Sequence, residues 1–286
     1  MSGTIDRDER HEAIYDADQR FSLIGELREL WSYREVVVSF ASRRLRTRYA
    51  QAVFGIGWAV VQPLAFLALF VAFLRSQAAP PDASTGGSYA AGSYAALVGW
   101  QFASAAIASA GASLVSESSM LRKVYFPREA PVLGAVGAYL PDLAINTVLL
   151  VALTPLLGGR LRWAALTTPL PYLVLAVAAL AIGLPLAALA VYYRDFLYAL
   201  PIGVQILLFA SPIAYPLDGQ DPGWRRYLYA TLNPLAGPLD ALRRIYGAGS
   251  TPDWGLVAAS ACSSLVLLAG GYRLLKALDR RMADVI

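Results

Sequence analysis

The sequence predicts an all-α integral membrane protein with six transmembrane helices per protomer. A helix needs about 20 mostly apolar residues to cross the roughly 30 Å of hydrocarbon in a bilayer. Most of the chain between Gly55 and Lys276 consists of stretches of that length and character. The composition agrees, because 57% hydrophobic and 15% charged residues, with a mean hydropathy of +0.49, do not suit a soluble domain. The predicted spans are about 56–74, 94–114, 131–157, 169–192, 197–217 and 254–275.

The residues outside the spans form no second block large enough to bury a core, so we expect one membrane domain. Its parts are a flexible cytosolic N-terminus (1–21), amphipathic interfacial helices (22–54), the transmembrane domain (55–276) and a cytosolic tail (277–286). An N-terminal interfacial helix is indicated because Leu23, Leu27, Leu30 and Trp31 recur at helical spacing opposite charged residues.

A second amphipathic stretch carries a basic face. Its predicted apolar face consists of Val37, Val38, Ala41, Leu45 and Tyr49. Its basic face consists of Arg43, Arg44, Arg46 and Arg48. Two interpretations stay open: the arginines fix the topology of the first span, or they bind lipid headgroups specifically.

Positive charge indicates the orientation, because Lys and Arg near the ends of spans stay on the cytoplasmic side. With the N-terminus inside, 17 of the 24 basic residues fall on inner segments and seven on outer ones. We therefore expect a multi-pass protein of the plasma (inner) membrane with both termini in the cytoplasm. The net charge of +4 follows from this arrangement, and we expect no nucleic-acid partner.

Three features depart from plain spans. A short charged and aromatic segment, 118–129, is expected to lie at the inner membrane surface, where it could pack against another protein. Asp142 lies at membrane depth, where it serves either hydrogen bonding between helices or a transport pathway. In the outer connection, Tyr227–Leu232 and Leu235–Tyr246 flank Asn233–Pro234 and predict a re-entrant helical hairpin that gates a pathway.

Motifs for catalysis are missing from the sequence. No GxxxxGK[ST] loop precedes Lys123 or Lys276, the only lysines, so the chain is not expected to hydrolyse ATP. A GxSxG elbow does not occur, and His11 and Cys262 are the only residues of their types, which gives a metal site almost nothing to build on. We expect no enzyme activity, no metal and no cofactor in this chain.

Five motifs in order resemble a known family. They are RYAQAVFGIGWAVVQPL (Arg48–Leu64), LRKVYFPRE (Leu121–Glu129), YRD (Tyr193–Asp195), SPIAYP (Ser211–Pro216) and NPLAGPLDALRRI (Asn233–Ile245). Together they resemble the ABC-2 type permeases that export cell-surface polysaccharides, the O-antigen and teichoic-acid exporters. The resemblance covers roughly residues 25 to 280.

The resemblance implies a homodimer that works with two copies of a separate ABC ATPase, which would bind the ATP and Mg. Its substrate would be a lipid-linked polysaccharide moved to the outer side of the membrane. The ATPase-coupling segment would be Leu121, Arg122, Lys123, Val124, Tyr125, Phe126, Pro127, Arg128 and Glu129. On this interpretation, replacing Tyr125 and Phe126 with alanine uncouples ATP hydrolysis from export and leaves the permease folded.

The resemblance also implies roles for three further groups of residues. The lipid diphosphate would meet Arg43, Arg44, Arg46 and Arg48. The outer gate would contain Tyr227, Asn233, Pro234, Pro238, Arg243 and Arg244. Aromatic side chains facing a channel would be Phe70, Phe73, Tyr94 and Phe209. The alternatives are an ABC-2 permease for a small molecule or lipid, and a membrane-embedded enzyme or scramblase of lipid-linked sugars.

Overall fold

The computed structural model describes residues 23–50, 57–76, 86–121, 123, 126–213, 215, 217, 223–247 and 251–285. Within these ranges the chain is helical and contains no β-strand, as the sequence predicts. The helices are α1 (Leu23–Ser32), α2 (Arg34–Tyr49), α3 (Trp58–Ser76), α4 (Gly86–Gly111), α5 (Ser113–Ser116), α6 (Ser118–Leu121), α7 (Glu129–Gly137), α8 (Leu140–Leu153), α9 (Pro169–Tyr192), α10 (Asp195–Phe209), α11 (Gly223–Leu232), α12 (Ala236–Tyr246) and α13 (Trp254–Val285). A 3₁₀ turn, Trp163–Thr167, precedes α9.

Three helical stretches in the described part of the chain are long and apolar enough to cross a bilayer. They are Glu129–Leu153, Trp163–Tyr192 and Trp254–Asp279, with 25, 30 and 26 residues. The helix Asp195–Phe209 is also apolar but is shorter than these three. The six predicted spans all overlap helices, with α3 and α4 covering the first two. The number of crossings itself stays a prediction.

The predicted span 131–157 is broken into α7 and α8. The break falls at Ala138 and Tyr139, and Pro141 follows in the first turn of α8. Proline suits a first helical turn because its missing N–H would have no partner there. The short α8 then ends in a turn in which Gly158 adopts φ 75°, a left-handed conformation that glycine reaches without a steric penalty.

Two further boundaries differ from the sequence prediction. The fifth span was predicted to reach residue 217, but α10 ends at Phe209. Pro212 explains the early end, because a proline disfavours helical backbone at the residue before it. The outer loop was predicted over 75–93, but α4 begins at Gly86 and takes the second half of that loop into the helix.

The centre of the bundle is a contact between α4 and α9 through small side chains. Ala103 and Ala110 on α4 and Ala187 and Ala188 on α9 are fully buried. Small residues let helix backbones approach closely. In a membrane the hydrophobic effect does not drive helices together, so close packing of this kind holds them in contact. Around this pair, α13 lies along α9 and α12 covers the start of α4.

The described helix ends fall into two groups. At one end lie α2, Glu117, the segment 126–129 and the last turns of α13, which contact one another. This group contains the segments predicted to be cytoplasmic, and we call it the inner end. At the other end lie the 3₁₀ turn, α11, α12 and the start of α13, which we call the outer end.

The predicted apolar face of α2 is correct at Val37 and Ala41, which lie against α7, but it is wrong at Val38. Val38 was placed on that face but is 64% exposed, whereas Phe40 is 3% exposed and packs against α7. The face that contacts the bundle also carries Arg44 and Arg48, whose long side chains reach acidic groups beyond α7. The pattern of apolar residues therefore places most of this face correctly but does not show that two arginines share it.

Candidate functional site

The predicted coupling segment is anchored by buried residues at both ends. Leu121 and Phe126 are 8% and 4% exposed, and the Phe126 ring lies 5.2 Å from the ring of Phe40 on α2. Between them, Lys123 is exposed. Arg122, Val124 and Tyr125 lie outside the described residues. Because Phe126 is buried, its replacement by alanine should lower stability, contrary to the expectation that the permease would stay folded.

Two ion pairs join the end of the coupling segment to α13. Arg128 Nε lies 3.0 Å from Asp279 Oδ1, and Lys276 Nζ lies 2.8 Å from Glu129 Oε1. The charges are crossed, with a cation and an anion on each side. Glu129 is 3% exposed, so its negative charge depends on Lys276 for compensation. The last turns of α13 therefore hold the segment in place.

Glu117 binds two arginines of α2. The Arg43 guanidinium donates a hydrogen bond to Glu117, and Arg44 Nη2 lies 3.5 Å from the second carboxylate oxygen. Arg44 also donates to the hydroxyls of Ser109 and Ser116 at 3.1 and 2.9 Å. Burial lowers the pKa of Arg44, an effect that Glu117 opposes. The chain just before the predicted coupling segment is thus tied to α2 by charge.

Arg48 pairs with Asp142 at the start of α8. Tyr49 donates a hydrogen bond of 2.8 Å to the other carboxylate oxygen, and the Arg48 guanidinium lies 3.8 Å from the centre of the Tyr139 ring. Burial, and then the hydrogen bond to Asp142, raise the pKa of Tyr49. The structure thus gives Asp142 a hydrogen-bonding role between helices.

The four arginines predicted to meet a lipid diphosphate therefore occupy different settings. Arg43 and Arg44 bind Glu117, and Arg48 binds Asp142. Arg46 is exposed. Any anionic ligand that recruits Arg43, Arg44 or Arg48 must compete with a carboxylate of the protein.

A cleft of about 800 Å³ opens beside the Arg48–Asp142 pair. It lies between α3, α4, α8 and α10, and its wall combines aromatic side chains with carboxamides. The lining includes Arg48, Tyr49, Trp58, Gln62, Phe66, Leu97, Trp100, Gln101, Tyr139, Asp142, Asn146 and Leu208.

At the outer end, the predicted hairpin consists of α11 and α12 joined at Asn233–Pro234. The Asn233 side chain donates to the carbonyl of Ala210 at 2.6 Å and accepts from the backbone N–H of Leu235 at 3.1 Å. One carboxamide thus fixes the hairpin bend and ties it to the end of α10. Tyr229 donates to the same Ala210 carbonyl.

The other predicted gate residues lie on or beside this bend. Pro234 and Pro238 are buried, whereas Tyr227 is 42% exposed. Arg244 Nε lies 2.5 Å from Asp240 Oδ2, and the Arg243 guanidinium lies 4.7 Å from the centre of the Tyr89 ring. The structure therefore brings the six residues into one hairpin.

The four predicted channel aromatics do not lie together. Tyr94 is fully buried inside the protomer, in the cluster between α4 and its neighbours. Phe209 is 75% exposed at the end of α10. The side chains of Phe70 and Phe73 lie outside the described residues. The cleft is instead lined by Trp58, Phe66, Trp100 and Tyr139.

Sequence reasoning missed two residues that the structure brings forward. Glu117 holds two arginines, and the signal for it was an acid directly after an apolar span and near a basic helix. Gln101 lines the cleft, and the signal for it was a carboxamide in the middle of a predicted span, where polar groups are costly.

Comparison with known proteins identifies the family to which this chain belongs. The family model for the ABC-2 type transporter matches residues 35–246. The chain is 25% identical over 268 residues to an O-antigen export system permease protein RfbA of Myxococcus xanthus, covering 92% of this chain and all of that protein. It is 20% identical over 260 residues to an RfbA protein of Klebsiella pneumoniae, covering 88% and 95% of the two chains. The chain is a multi-pass membrane protein that belongs to the ABC-2 type transporter family.

Proposed function

We propose that this chain is the permease subunit of an ATP-driven exporter that moves a lipid-linked polysaccharide from the cytoplasmic to the outer side of the plasma membrane. The observation that carries the proposal is the end-to-end match to permeases named for O-antigen export, in which all of the Myxococcus xanthus protein is covered. A match to one domain of a larger protein would not support a shared substrate class in the same way.

The proposed topology has six crossings and two cytoplasmic termini. It is supported by the grouping of the helix ends, since the basic helix α2 and the ion-paired segment 126–129 lie at one end with the last turns of α13. Basic residues near spans favour the cytoplasmic side. The hairpin of α11 and α12 then faces outward, where we propose that it dips into the outer leaflet as a gate.

The power source in this proposal is a separate ABC ATPase, present in two copies, which binds ATP and Mg. Its docking site on the permease is the segment Leu121–Glu129. The anchoring of this segment supports that role: Phe126 packs on α2, and Arg128 and Glu129 are ion-paired to α13. A push on the exposed Lys123 region would reach both helices as a rigid-body shift.

The working unit in the proposal is a homodimer whose two copies enclose the path of the glycan. The faces available for that contact are on α3 and α10, where Phe66, Leu69, Ile202 and Ile206 are 50%, 69%, 63% and 63% exposed. Lipid covers the rest of the apolar surface. Export through a shared path needs a wide passage, which distinguishes this function from a permease for small molecules.

The test is export in proteoliposomes that contain the permease, its ATPase and a fluorescent lipid-linked glycan. With ATP, we expect the glycan to become accessible to a membrane-impermeant glycosidase on the side opposite the ATPase. An ATPase whose phosphate-binding lysine is replaced serves as the control and should abolish the signal. Accessibility that develops equally without ATP would overturn the proposal in favour of a scramblase.

A Lys123→Glu variant tests the docking assignment in the same vesicles. Because Lys123 is exposed, its replacement should leave the free energy of unfolding within about 0.5 kcal/mol of the wild type. Export should nevertheless fall several-fold, with ATP hydrolysis less stimulated by the glycan. Arg160→Glu, which changes an exposed cation at the outer end, is the matched control and should export normally. Normal export by Lys123→Glu would contradict the assignment.

A further inference from the structure

Three helices contribute similarly spaced stripes of residues to the cleft. Residues four apart lie on one face of a helix, so each stripe runs along the cleft rather than around it. The stripes are Trp58, Gln62 and Phe66 on α3, Leu97, Gln101 and Ala105 on α4, and Asp142 and Asn146 on α8. Each stripe contains one carboxamide.

Two of these carboxamides have polar atoms that nothing in the described chain satisfies. Gln101 Nε2 and Asn146 Oδ1 are buried and have no hydrogen-bond partner among the described residues. One atom is a donor and the other an acceptor. Buried polar atoms without partners are uncommon in folded proteins and ask for an explanation, such as a ligand that supplies the missing bonds. Gln62, from the third helix, adds both a donor and an acceptor at the same cleft.

The walls beside the carboxamides are aromatic. Trp58, Trp100, Phe66 and Tyr139 all line the cleft. Aromatic rings offer flat apolar surfaces, which suit a ligand with an apolar face and polar edges. A pyranose ring has this character, because its C–H groups form the face and its hydroxyls, which both donate and accept, form the edge.

Other ligand classes fit less well. An acyl or prenyl chain would cover Gln101 and Asn146 without giving them a hydrogen bond, which is costly in a dry site. A phosphate would face the acceptor oxygen of Asn146, and the cation in the lining, Arg48, already binds Asp142. A neutral sugar can satisfy a donor and an acceptor at once. The chemistry of the lining therefore favours the sugar of a glycolipid over its lipid chain and its phosphate.

We propose that this cleft, inside a single protomer, binds one pyranose unit of the substrate, with Gln101 and Asn146 hydrogen-bonded to its hydroxyls and Trp58 or Trp100 against its face. The inference rests on the proposed function for the identity of the glycan, but not for the chemistry of the cleft. Gln62, Gln101 and Asn146 then determine which sugars are accepted, because a sugar that lacks the matching hydroxyl leaves a buried amide unpaired.

The test is binding to the purified full-length chain in nanodiscs. The probes are a short-chain prenyl diphosphate that carries one N-acetylhexosamine and the same prenyl diphosphate without sugar. Quenching of tryptophan fluorescence reports occupancy, and the variants Trp58→Phe and Trp100→Phe together identify the part of the signal that comes from the cleft. We expect the sugar-bearing probe to bind at least tenfold more tightly than the sugar-free one.

Near-isosteric apolar variants separate binding from folding. Asn146→Leu and Gln101→Met remove the amides and keep their approximate volume, so the thermal midpoint should stay the same or rise, since no buried amide is left unpaired. Each should weaken the sugar-bearing probe about tenfold and leave the sugar-free probe unchanged. Gln205→Met, which changes an exposed amide on α10 that does not line the cleft, is the control and should bind like the wild type.

Two results would overturn the inference. Equal binding of both probes to the wild type would assign the cleft to the lipid diphosphate. A lower midpoint in the two variants, together with equal loss of both probes, would make the amides structural. Neither result depends on the ATPase, so failure of export in proteoliposomes with normal sugar binding would count against the proposed function alone.

Discussion

The two ends of the helix bundle are held together by different chemistry. At the inner end, ion pairs connect α2 with Glu117 and with α8, and connect the residues Arg128 and Glu129 with α13. At the outer end, the contacts between described helices are chiefly neutral. Ser260 on α13 accepts from the backbone N–H of Gly237 at 3.1 Å and donates to the carbonyl of Ala230 at 3.0 Å.

The difference indicates where each end can move. Ion pairs that have a more exposed partner, such as Arg43–Glu117 and Arg128–Asp279, are weakened by salt and exchange partners at modest cost, whereas the buried Glu129 retains Lys276. Close backbone contact has no such freedom, because a packed interface has few alternative arrangements. We therefore expect the inner end to rearrange when the ATPase acts, and the outer hairpin to move together with α13 as one body.

The largest effect on stability is expected from Phe126→Ala. This variant tests whether the inner end is stabilised by ion pairs alone. Phe126 is 4% exposed and packs on Phe40, so truncation should lower the free energy of unfolding by about 3 kcal/mol. An SDS titration followed by circular dichroism measures it. Phe209→Ala, which truncates a 75% exposed ring, should change little. Equal behaviour of the two variants would show that aromatic packing contributes nothing at this end.

Gly237→Ala should have a smaller effect, at the outer end. A Cβ at Gly237 would lie 2.3 Å from the carbonyl oxygen of Leu256 and 2.6 Å from Ser260 Oγ, so α12 and α13 must separate. Overpacking of this kind costs about 1–3 kcal/mol. Gly203→Ala on α10 is the matched control, because no atom lies within 4 Å of its added Cβ. A stability equal to that of the Gly203→Ala protein would refute the tight outer contact.

A double-mutant cycle on Arg48 and Asp142 should show the smallest effect. The two side chains are 28% and 17% exposed, so we expect a coupling of about 1 kcal/mol between Arg48→Met and Asp142→Asn. This coupling should decrease between low and high salt, whereas the cost of Gly237→Ala should not. SDS titrations at two salt concentrations measure both. A coupling that is independent of salt would remove the proposed difference between the ends.

The sequence was sufficient for the helices and for the bend between α11 and α12, whereas the re-entrant path of these two helices stays a prediction. Apolar length placed α9 at residues 169–192 as observed, and Asn233–Pro234 marked the bend between α11 and α12. These features depend on local chemistry, namely apolar runs and the absence of a proline N–H. Pro141 and Pro212 are local signals for the break at Tyr139 and for the early end of α10. The prediction missed both boundaries because it followed the length of the apolar stretches.

The contacts between distant residues could not be predicted in the same way. Arg44 and Glu117 are far apart in sequence, and only the packing of α2 against the bundle brings them together. The same holds for the carboxamides of the cleft, which come from three helices. The sequence shows which polar residues lie in apolar segments. Which of these residues line the same cavity depends on how each helix is rotated about its axis, and composition does not determine that rotation.

The uninterrupted course of α13 has a mechanical consequence. At 1.5 Å per residue, its 32 residues make a rod about 48 Å long that touches the hairpin near one tip and the crossed ion pairs near the other. Tilting such a rod by about 5° around its midpoint displaces both tips by about 2 Å, in opposite directions. A lever of this length would let a slight pull at the inner end open a gap at the outer end without any helix having to unwind.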